Sequence, residues 1–208
     1  MYIPPFNKVD DEDTIRAMVR AAAAGWFITA DEDGVPTATL IPVMWDDDTV
    51  IAHMAIANPH WRSIRHEHPT LIVCPGPDAY VSPSWYAAKA EHGRVVPTWN
   101  YTAVHLTGTA QVHRDDEWLR KAVADLTDVH EAERPQPWEV TDAPDDYVNG
   151  QLRGIVGIEV TVTAVEAKSK LSQNRSAADQ EGVVDGLRAE GDRRSRAVAD
   201  AMSTPDQP

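Results

Sequence analysis

Three strand-like segments separated by very short turns lie between residues 26 and 57, and they constrain the fold more than any other feature of this sequence. Residues 26–30, 35–45 and 49–57 are rich in β-branched and other apolar residues, which favour strands. Asp33-Gly34 is a hairpin turn signal, and three consecutive aspartates at 46–48 mark a second turn. Turns of this length join antiparallel neighbours, so the sequence predicts a three-stranded meander.

Further strands are predicted along the rest of the chain. Residues 70–74 are apolar on both faces and predict a buried strand, which Pro75-Gly76-Pro77 separates from another strand at 79–82. Residues 104–112 alternate apolar and polar side chains, and residues 155–166 predict the last long strand. Six or seven mostly antiparallel strands predict a mainly β fold with peripheral helices (α+β), built as a closed or split barrel.

The predicted helices surround these strands. Residues 11–24 repeat apolar side chains at helical spacing, residues 60–67 follow an Asn-Pro turn, and a longer helix is capped near Asp115. We expect residues 1–190 to form one domain, because neither group of strands can hide its edges alone. The polar, arginine-rich composition of residues 191–208 predicts a flexible C-terminal tail.

Charge and composition limit the partners of the chain. Its formal net charge is −14 at pH 7, which opposes direct DNA binding, because that binding depends on cations at phosphates. The one dense arginine cluster, at 188–196, is diluted by two acids. A single cysteine, Cys74, indicates a reducing compartment. With no secretory signal and no apolar run long enough for a membrane span, we expect a cytoplasmic protein.

Catalytic residues cannot be assigned from motifs. The sequence has no recognisable motif for a covalent nucleophile, a metal site or a dinucleotide fold. Cys74 lies in an apolar strand and is expected to be an inert core residue. The eight histidines are dispersed, and we expect them to face solvent and to bind no metal.

The stretch HMAIANPHWR, residues 53–62, is the first candidate site. It holds a histidine, an amide, an indole and a guanidinium within ten residues. A strand, a turn and a helix with one core tryptophan would explain it equally well. However, Arg62 in a first helical turn is unfavourable for the helix dipole unless an anion lies nearby.

Three other stretches have candidate ligand-binding composition. TATLIPV, residues 37–43, could present its backbone to a ring, although a half-buried strand also explains it. AYVSPSWY and VPTWNY place Trp85, Tyr86, Trp99 and Tyr101 around a long loop, which suits a site or a subunit interface. AKSKLSQNR, residues 167–175, carries cations and polar donors without an acid, which favours an anion contact over a solvated strand exit.

Together these motifs resemble the PaiB family, which is described as FMN-binding negative transcriptional regulators. The resemblance rests on MYIPPF, HMAIANPHWR, AYVSPSWY, VPTWNY and KLSQNR, in this order from Met1 to about Leu187. It implies an FMN-binding split β-barrel of the flavin-reductase and pyridoxamine-phosphate-oxidase type. It also implies a homodimer with FMN at the subunit interface. The regulator role comes only with the family name, and the net charge of −14 makes direct DNA binding doubtful.

The resemblance also assigns cofactor contacts by motif position. The backbone of Thr39, Leu40 and Ile41 would border the isoalloxazine. Ribityl and phosphate contacts would come from the third strand and its exit: His53, Met54, Ala55, Asn58, Trp61 and Arg62. The site would be closed, with the partner subunit as one possible source, by Trp99, Asn100, Lys170, Ser172, Gln173, Asn174 and Arg175. Arg62, Lys170 and Arg175 suit an FMN phosphate, and Gln173 or Asn174 suits the pyrimidine edge.

Two other functions stay open at this point. The first is an FMN-dependent oxidoreductase acting on a small molecule, with His53 or Tyr101 as the proton donor. The second is a haem-binding split barrel, for which His53 and His105 are the only strand histidines able to reach an iron. The sequence identifies neither a substrate nor a reductant.

Overall fold

The computed structural model describes residues 1–203. The strands are β1 Lys8–Val9, β2 Ala24–Ala30, β3 Pro36–Asp46, β4 Thr49–Ala55, β5 His68–Val81, β6 Thr98–His113 and β7 Ile155–Lys170. The α-helices are α1 Glu12–Ala22, α2 Ala88–His92, α3 Asp116–Glu131, α4 Asp145–Leu152, α5 Ala177–Glu190 and α6 Arg193–Ser203. Single 3-10 turns occupy Pro5–Asn7, Pro59–Ser63, Pro83–Trp85 and Val140–Asp142.

The seven strands form one sheet in the order β1-β7-β4-β3-β2-β5-β6, and β6 also pairs with β7, which closes the sheet into a barrel. The predicted meander is confirmed. Phe27 of β2 lies opposite Thr39 of β3, and Val43 of β3 lies opposite Ala52 of β4, both in antiparallel register. This alternation buries every second side chain of β4, because successive side chains of a strand point to opposite faces.

β5 corrects the prediction of two separate strands. It runs without a break through Pro75, Gly76 and Pro77. The strand can continue because Gly76 lets its backbone pass close to Thr102 of β6, where a Cβ on residue 76 would lie 1.9 Å from Oγ1 of Thr102. Only a residue without a side chain allows the backbone to pass there. β7 likewise continues to Lys170 and so includes part of the predicted strand exit.

The chain divides into two compact units, through both of which β5, β6 and β7 pass. Unit 1 contains Met1–Ile15, Pro75–Val104 and the described residues from Glu166 onward, and unit 2 contains Arg16–Cys74 and His105–Val165. Fully buried side chains of unit 2 include Phe27, Ile72 and Ile158. In unit 1, β5 packs against α5 and α6 through a cluster of buried residues: Ala79, Val81, Tyr86, Val183, Leu187, Val198 and Ala199.

Helix α6 corrects the prediction of a flexible tail for part of its length. Asp192 caps the helix by accepting hydrogen bonds from the backbone N–H groups of Arg194 (2.8 Å) and Ser195 (3.1 Å). Val198 and Ala199 are completely buried in the unit 1 core, so residues 193–203 are held by packing. Residues 204–208, the end of the predicted tail, lie outside the described residues.

Within residues 1–203, none of the helices combines the length and apolar composition needed to cross a bilayer.

Candidate functional site

β3 and β4 are paired at only one end of β3. The pairing joins Val43–Asp46 to Thr49–Ala52, whereas Pro36–Pro42 pairs with β2 on its other side. Among the described residues, no ladder joins this half of β3 to β4. The 3-10 turn Pro59–Ser63 and its N-cap residue Asn58 contact it instead, through hydrogen bonds of His60 and Asn58 to Thr39. We call Pro36–Pro42 the open half of β3.

His60 is the buried centre of this contact and corrects the prediction of solvent-facing histidines. Its side chain is 3% exposed. The ring nitrogens lie 2.8 Å (Nδ1) and 2.9 Å (Nε2) from the hydroxyls of Thr39 and Thr29, respectively. Burial lowers the pKa of His60, and the charge of nearby His68 lowers it further. A neutral imidazole has one N–H, so it donates to one threonine and accepts from the other.

Asn58 joins the same network, as a predicted site residue. Its Oδ1 accepts from the backbone N–H of His60 at 3.0 Å, and its Nδ2 donates to the Thr39 hydroxyl at 3.3 Å. The structure therefore brings two of the predicted cofactor contacts, Asn58 and Thr39, into contact with each other. Their side chains hold one another and His60, so their role is to fix the turn and the open half of β3.

Two guanidiniums contact the indole of Trp61. Trp61 Nε1 donates to the Ile56 carbonyl at 2.9 Å, which orients the ring. The guanidinium carbons of Arg62 and Arg114 lie 5.2 Å and 5.6 Å from the ring centroid. Both arginines are exposed, and neither has a carboxylate partner within residues 1–203. Like charges at one indole repel unless an anion lies between them. We call these three side chains the Trp61 cluster.

Sequence reasoning missed His60 and Arg114 for different reasons. The burial of His60 depends on threonines of β2 and β3. Arg114 follows β6 directly and precedes three consecutive acids, a context in which a single cation suggests only a solvated turn.

The remaining predicted residues of unit 2 take different positions. The side chains of Ile41 and Met54 are buried in the core, so only their backbone could face a ligand. Leu40 is 52% exposed, and Ala55 is exposed at the end of β4. His53 lies opposite Gly157 of β7. Its Nδ1 is buried without a hydrogen-bond partner in the described residues, and burial lowers its pKa.

Unit 1 contains the other predicted residues, in two groups. The first surrounds Trp99, whose Nε1 donates to Asp78 at 2.9 Å. Trp99 also lines a cavity of about 220 Å³ with Tyr80 and Trp85. Three carboxylates (Asp78, Glu190 and Asp192) line the same cavity and outnumber its one guanidinium, that of Arg194. This acidic surrounding disfavours an anionic ligand group at Trp99.

The second group is the turn that follows β7. Asn100 is fully buried, and its Nδ2 donates to the Ser172 hydroxyl at 3.0 Å. Gln173 accepts from the Leu171 N–H at 2.8 Å and donates to the Ser169 carbonyl at 2.6 Å. These side chains therefore build the turn itself. Asn174 is exposed, and Lys170 and Arg175 provide cations on either side of the turn.

Comparison with known proteins identifies the family. Residues 1–164 match the family model described as "Putative FMN-binding domain". The chain is 34% identical over 206 residues to "Protease synthase and sporulation protein PAI 2" of Bacillus subtilis, with 97% of this chain and 96% of that protein covered. The chain belongs to the PaiB family. The predicted resemblance is thereby confirmed.

Other similarities support the family and the fold. An uncharacterized protein of Aspergillus fumigatus is 38% identical over 133 residues, which cover 56% of this chain and 51% of that protein. Among solved structures, the FAD and haem binding protein of Mycobacterium smegmatis matches with a TM-score of 0.62 at 15% identity, over 84% of this chain and 78% of that one. The flavocytochrome Anf3 of Azotobacter vinelandii matches with a TM-score of 0.56 at 16% identity, over 81% and 72%. The predicted split-barrel fold is confirmed.

The residues of this PaiB protein fit a flavin in chemical type. A flavin phosphate needs guanidinium or ammonium groups, and the Trp61 cluster provides two guanidiniums without counter-ions. The open half of β3 provides unpaired backbone groups of the kind that can border a ring. Residues 1–203 contain no group of three or more His, Cys, Asp or Glu side chains placed to hold a metal ion.

Proposed function

We propose that this protein is an FMN-binding split-barrel homodimer, with the FMN phosphate at the Trp61 cluster. The observation that carries the proposal is the position of Arg62 and Arg114 at one fixed indole, without carboxylate partners in the described residues. In a chain with a net charge of −14, two such cations are well suited to a phosphate dianion. The family description, an FMN-binding domain, supports the same cofactor.

The proposed roles of the chain follow from its contacts. Arg62 and Arg114 bind the phosphate, and the indole of Trp61 positions both guanidinium groups. Backbone groups of Thr39, Leu40 and Ile41 border the isoalloxazine, in a position fixed by the Thr39–His60–Asn58 network. When bound, FMN would supply one- or two-electron redox chemistry.

Comparing FMN with riboflavin, which lacks the phosphate, tests this assignment. We expect Arg62→Gln and Arg114→Gln each to weaken FMN binding by about 10- to 100-fold, the worth of a charge-assisted hydrogen bond. Riboflavin binding should stay unchanged, and both affinities are measured by quenching of flavin fluorescence. The matched control is Arg65→Gln, an exposed arginine that pairs with Glu32. If the variants lose equal affinity for FMN and for riboflavin, the phosphate does not bind at the Trp61 cluster. A wild-type protein that binds no FMN would refute the whole proposal.

The homodimer has its own support in an exposed apolar face of unit 2. Trp26 of β2 and Leu40 of β3 are paired neighbours, 44% and 52% exposed. Ala38 is exposed beside them, and Val73 of β5 lies on the other side of Trp26. A contiguous apolar surface on a sheet usually marks an interface. We propose a second copy of this chain as its partner, as the family resemblance implies.

A haem-binding function is the second candidate, because of His53. Its imidazole is kept neutral by a lowered pKa, and its buried Nδ1 has no protein partner in residues 1–203, which suits an axial ligand. Two proteins of similar fold are named as haem or flavocytochrome proteins. A Soret band on addition of haemin, absent in His53→Ala, would support this function. A wild-type protein that gives no such band would exclude it.

The role in transcription stays part of the proposal in an indirect form. Within the basic cluster, Arg194 pairs with Asp78 at 2.8 Å and Arg188 donates to Ser203 at 3.2 Å, which leaves less cationic surface for phosphates. We therefore propose a cytoplasmic regulator, in keeping with the single buried thiol Cys74, that acts without contacting DNA itself. A DNA shift at physiological salt by the purified chain would contradict this.

A further inference from the structure

Two lysines of β7 reach neighbouring residues of β6 within unit 1. Lys168 is only 6% exposed. Its Nζ donates to the Tyr101 hydroxyl at 2.7 Å and to the Tyr2 carbonyl at 3.1 Å. Lys170, on the same face of the strand, donates to the Thr98 hydroxyl at 2.7 Å and to the Trp99 carbonyl. Each ammonium has three N–H donors, so each keeps one for a further acceptor.

These lysines and Arg175 have no acidic partner among residues 1–203. Arg175 lies 4.7 Å from the centroid of the Tyr86 ring. Within residues 1–203, none of the three cations forms an ion pair. The nearby carboxylates are used elsewhere, since Glu166 holds the Met1 ammonium at 2.7 Å and Asp78 holds Arg194. Burying a cation without an opposite charge is costly, so the arrangement favours an anion from outside the chain.

One tight turn joins Lys170 to Arg175, because β7 ends at Lys170 and the Arg175 backbone N–H donates to the Ser172 carbonyl at 2.9 Å. Lys168 lies two residues before Lys170 on the same face of the strand. Burial lowers the pKa of Lys170, and the charges of Lys168 and Arg175 lower it further. The chain has 33 acidic residues against 19 lysines and arginines, so carboxylates are abundant. Even so, none of those in residues 1–203 pairs with these three cations. The cluster is therefore a specific feature of the fold and not a consequence of composition.

The turn between Lys170 and Arg175 is held in an unfavourable backbone conformation. Ser172 has a φ of 67°, in the left-handed region that non-glycine residues seldom adopt. The hydrogen bonds between Ser172 and buried Asn100 stabilise this conformation, as does the folding of Gln173 onto its own turn. Strain of this kind is concentrated at functional sites, and here it lies in the turn that joins Lys170 to Arg175.

We infer that Lys168, Lys170 and Arg175 form a second anion site, which binds a small dianionic oxyanion belonging to a substrate and not to FMN. The inference rests on the proposed function, because one FMN carries one phosphate and the Trp61 cluster already provides two cations for it. Three cations suit a doubly charged group better than a carboxylate. Lys168 holds Tyr101 beside this site, and Asn174 is exposed next to Arg175.

Inorganic phosphate is the probe, titrated into the FMN-loaded protein so that the Trp61 cluster is already filled. Binding is followed by calorimetry or by phosphorus NMR. We expect phosphate to bind, and Lys170→Met and Arg175→Gln each to weaken it by at least about tenfold. The inference replaces the predicted FMN contacts of Lys170 and Arg175, so the affinity of both variants for FMN should equal that of the wild type. The control is Lys89→Met, an exposed lysine of α2 bonded to Ser84, which should leave phosphate binding unaltered. Lys168 is avoided because its burial could make a variant unfold.

Other outcomes separate this inference from the proposed function. If Lys170→Met or Arg175→Gln weakens FMN binding but not riboflavin binding, the cluster serves the FMN phosphate and the inference is overturned, while FMN binding itself stands. An FMN-loaded protein that binds no phosphate, or binds acetate equally well, also overturns it. A chain that binds no FMN, yet binds phosphate through Lys170, refutes the proposed function and supports the anion site.

Discussion

The Nδ1 atom of His60 lies 2.8 Å from the hydroxyl of Thr39, and this contact joins the Pro59–Ser63 turn to the open half of β3. Buried His60 therefore connects the turn that carries Trp61 and Arg62, the proposed phosphate site, to the β3 backbone that is proposed to border the ring. The geometry depends on a neutral ring, because a protonated imidazole would have to donate to both threonines and would place a charge inside the protein.

The first prediction concerns pH. Burial lowers the pKa of folded His60 below its ordinary value of 6.5, so the unfolded chain takes up a proton first as the pH falls. The stability contribution of His60 is complete above about pH 6.5 and is lost as the pH falls from there toward the lower folded pKa. The limiting slope is about 1.4 kcal/mol per pH unit for one proton. His53, whose pKa is also lowered, adds loss of the same sign.

Urea unfolding between pH 8 and pH 5 measures this effect. The wild-type midpoint should be flat at the alkaline end and fall below about pH 6.5. His60→Gln should be less stable at pH 8, since it loses ring contacts with Thr29 and Phe27, but should show a smaller pH dependence. An unchanged pH dependence in His60→Gln would mean that other groups cause the acid loss.

The second prediction concerns two helical glycines. A Cβ on Gly186 of α5 would lie 2.3 Å from the Trp85 ring, whereas a Cβ on Gly150 of α4 would meet nothing within 4 Å. Gly186→Ala should destabilise by about 1–3 kcal/mol, the usual cost of overpacking. Gly150→Ala should stabilise by about 0.5–1 kcal/mol, because alanine loses less backbone entropy in a helix. Urea unfolding at neutral pH compares them. If both substitutions change the free energy of unfolding equally, the Trp85 ring must move aside to make room for the alanine side chain at position 186 at no measurable cost.

Local sequence signals were sufficient for much of the fold. The meander follows from period-two alternation and from turn residues at Asp33-Gly34 and 46–48, all of which act within a few residues. The continuity of β5 could not be predicted, because it depends on how closely Gly76 approaches Thr102, a residue distant in sequence. Helix α6 was missed because its apolar residues are few, and their partners Val183 and Leu187 lie in another helix.

The candidate site shows the same limit. Asn58, Trp61 and Arg62 were predicted together because they are neighbours in one turn. Arg114 joins Trp61 only through tertiary structure, and the buried state of His60 depends on Thr29 and Thr39. The composition of residues 167–175, with cations and no acid, predicted an anion contact, and the family resemblance made that anion FMN. The lack of carboxylate partners for Lys170 and Arg175 within the described residues emerged only from the structure.

The third prediction concerns Cys74, which is buried in β5. Burial raises the pKa of its thiol to about 11 from the ordinary 9.0. Only the thiolate reacts with disulfide reagents, so at pH 8 the reactive fraction is reduced about 100-fold relative to an ordinary thiol. The native protein should react slowly with an aromatic disulfide, and the unfolded protein in urea should react at once. Rapid reaction of the native protein would contradict a closed core at β5.

The last prediction concerns the face formed by Trp26 and Leu40. If a second copy covers it, a charge at its centre should oppose association, because a buried lysine without a partner is costly. We expect Leu40→Lys to convert a wild-type dimer into a folded monomer, measured by light scattering during size-exclusion chromatography. The control is Val129→Lys on α3, a residue that is 49% exposed and lies outside this face. FMN binding by the monomer should weaken if the partner contributes to the site. A dimeric Leu40→Lys variant would assign the interface to another surface, and a monomeric wild-type protein would remove the homodimer from the proposal.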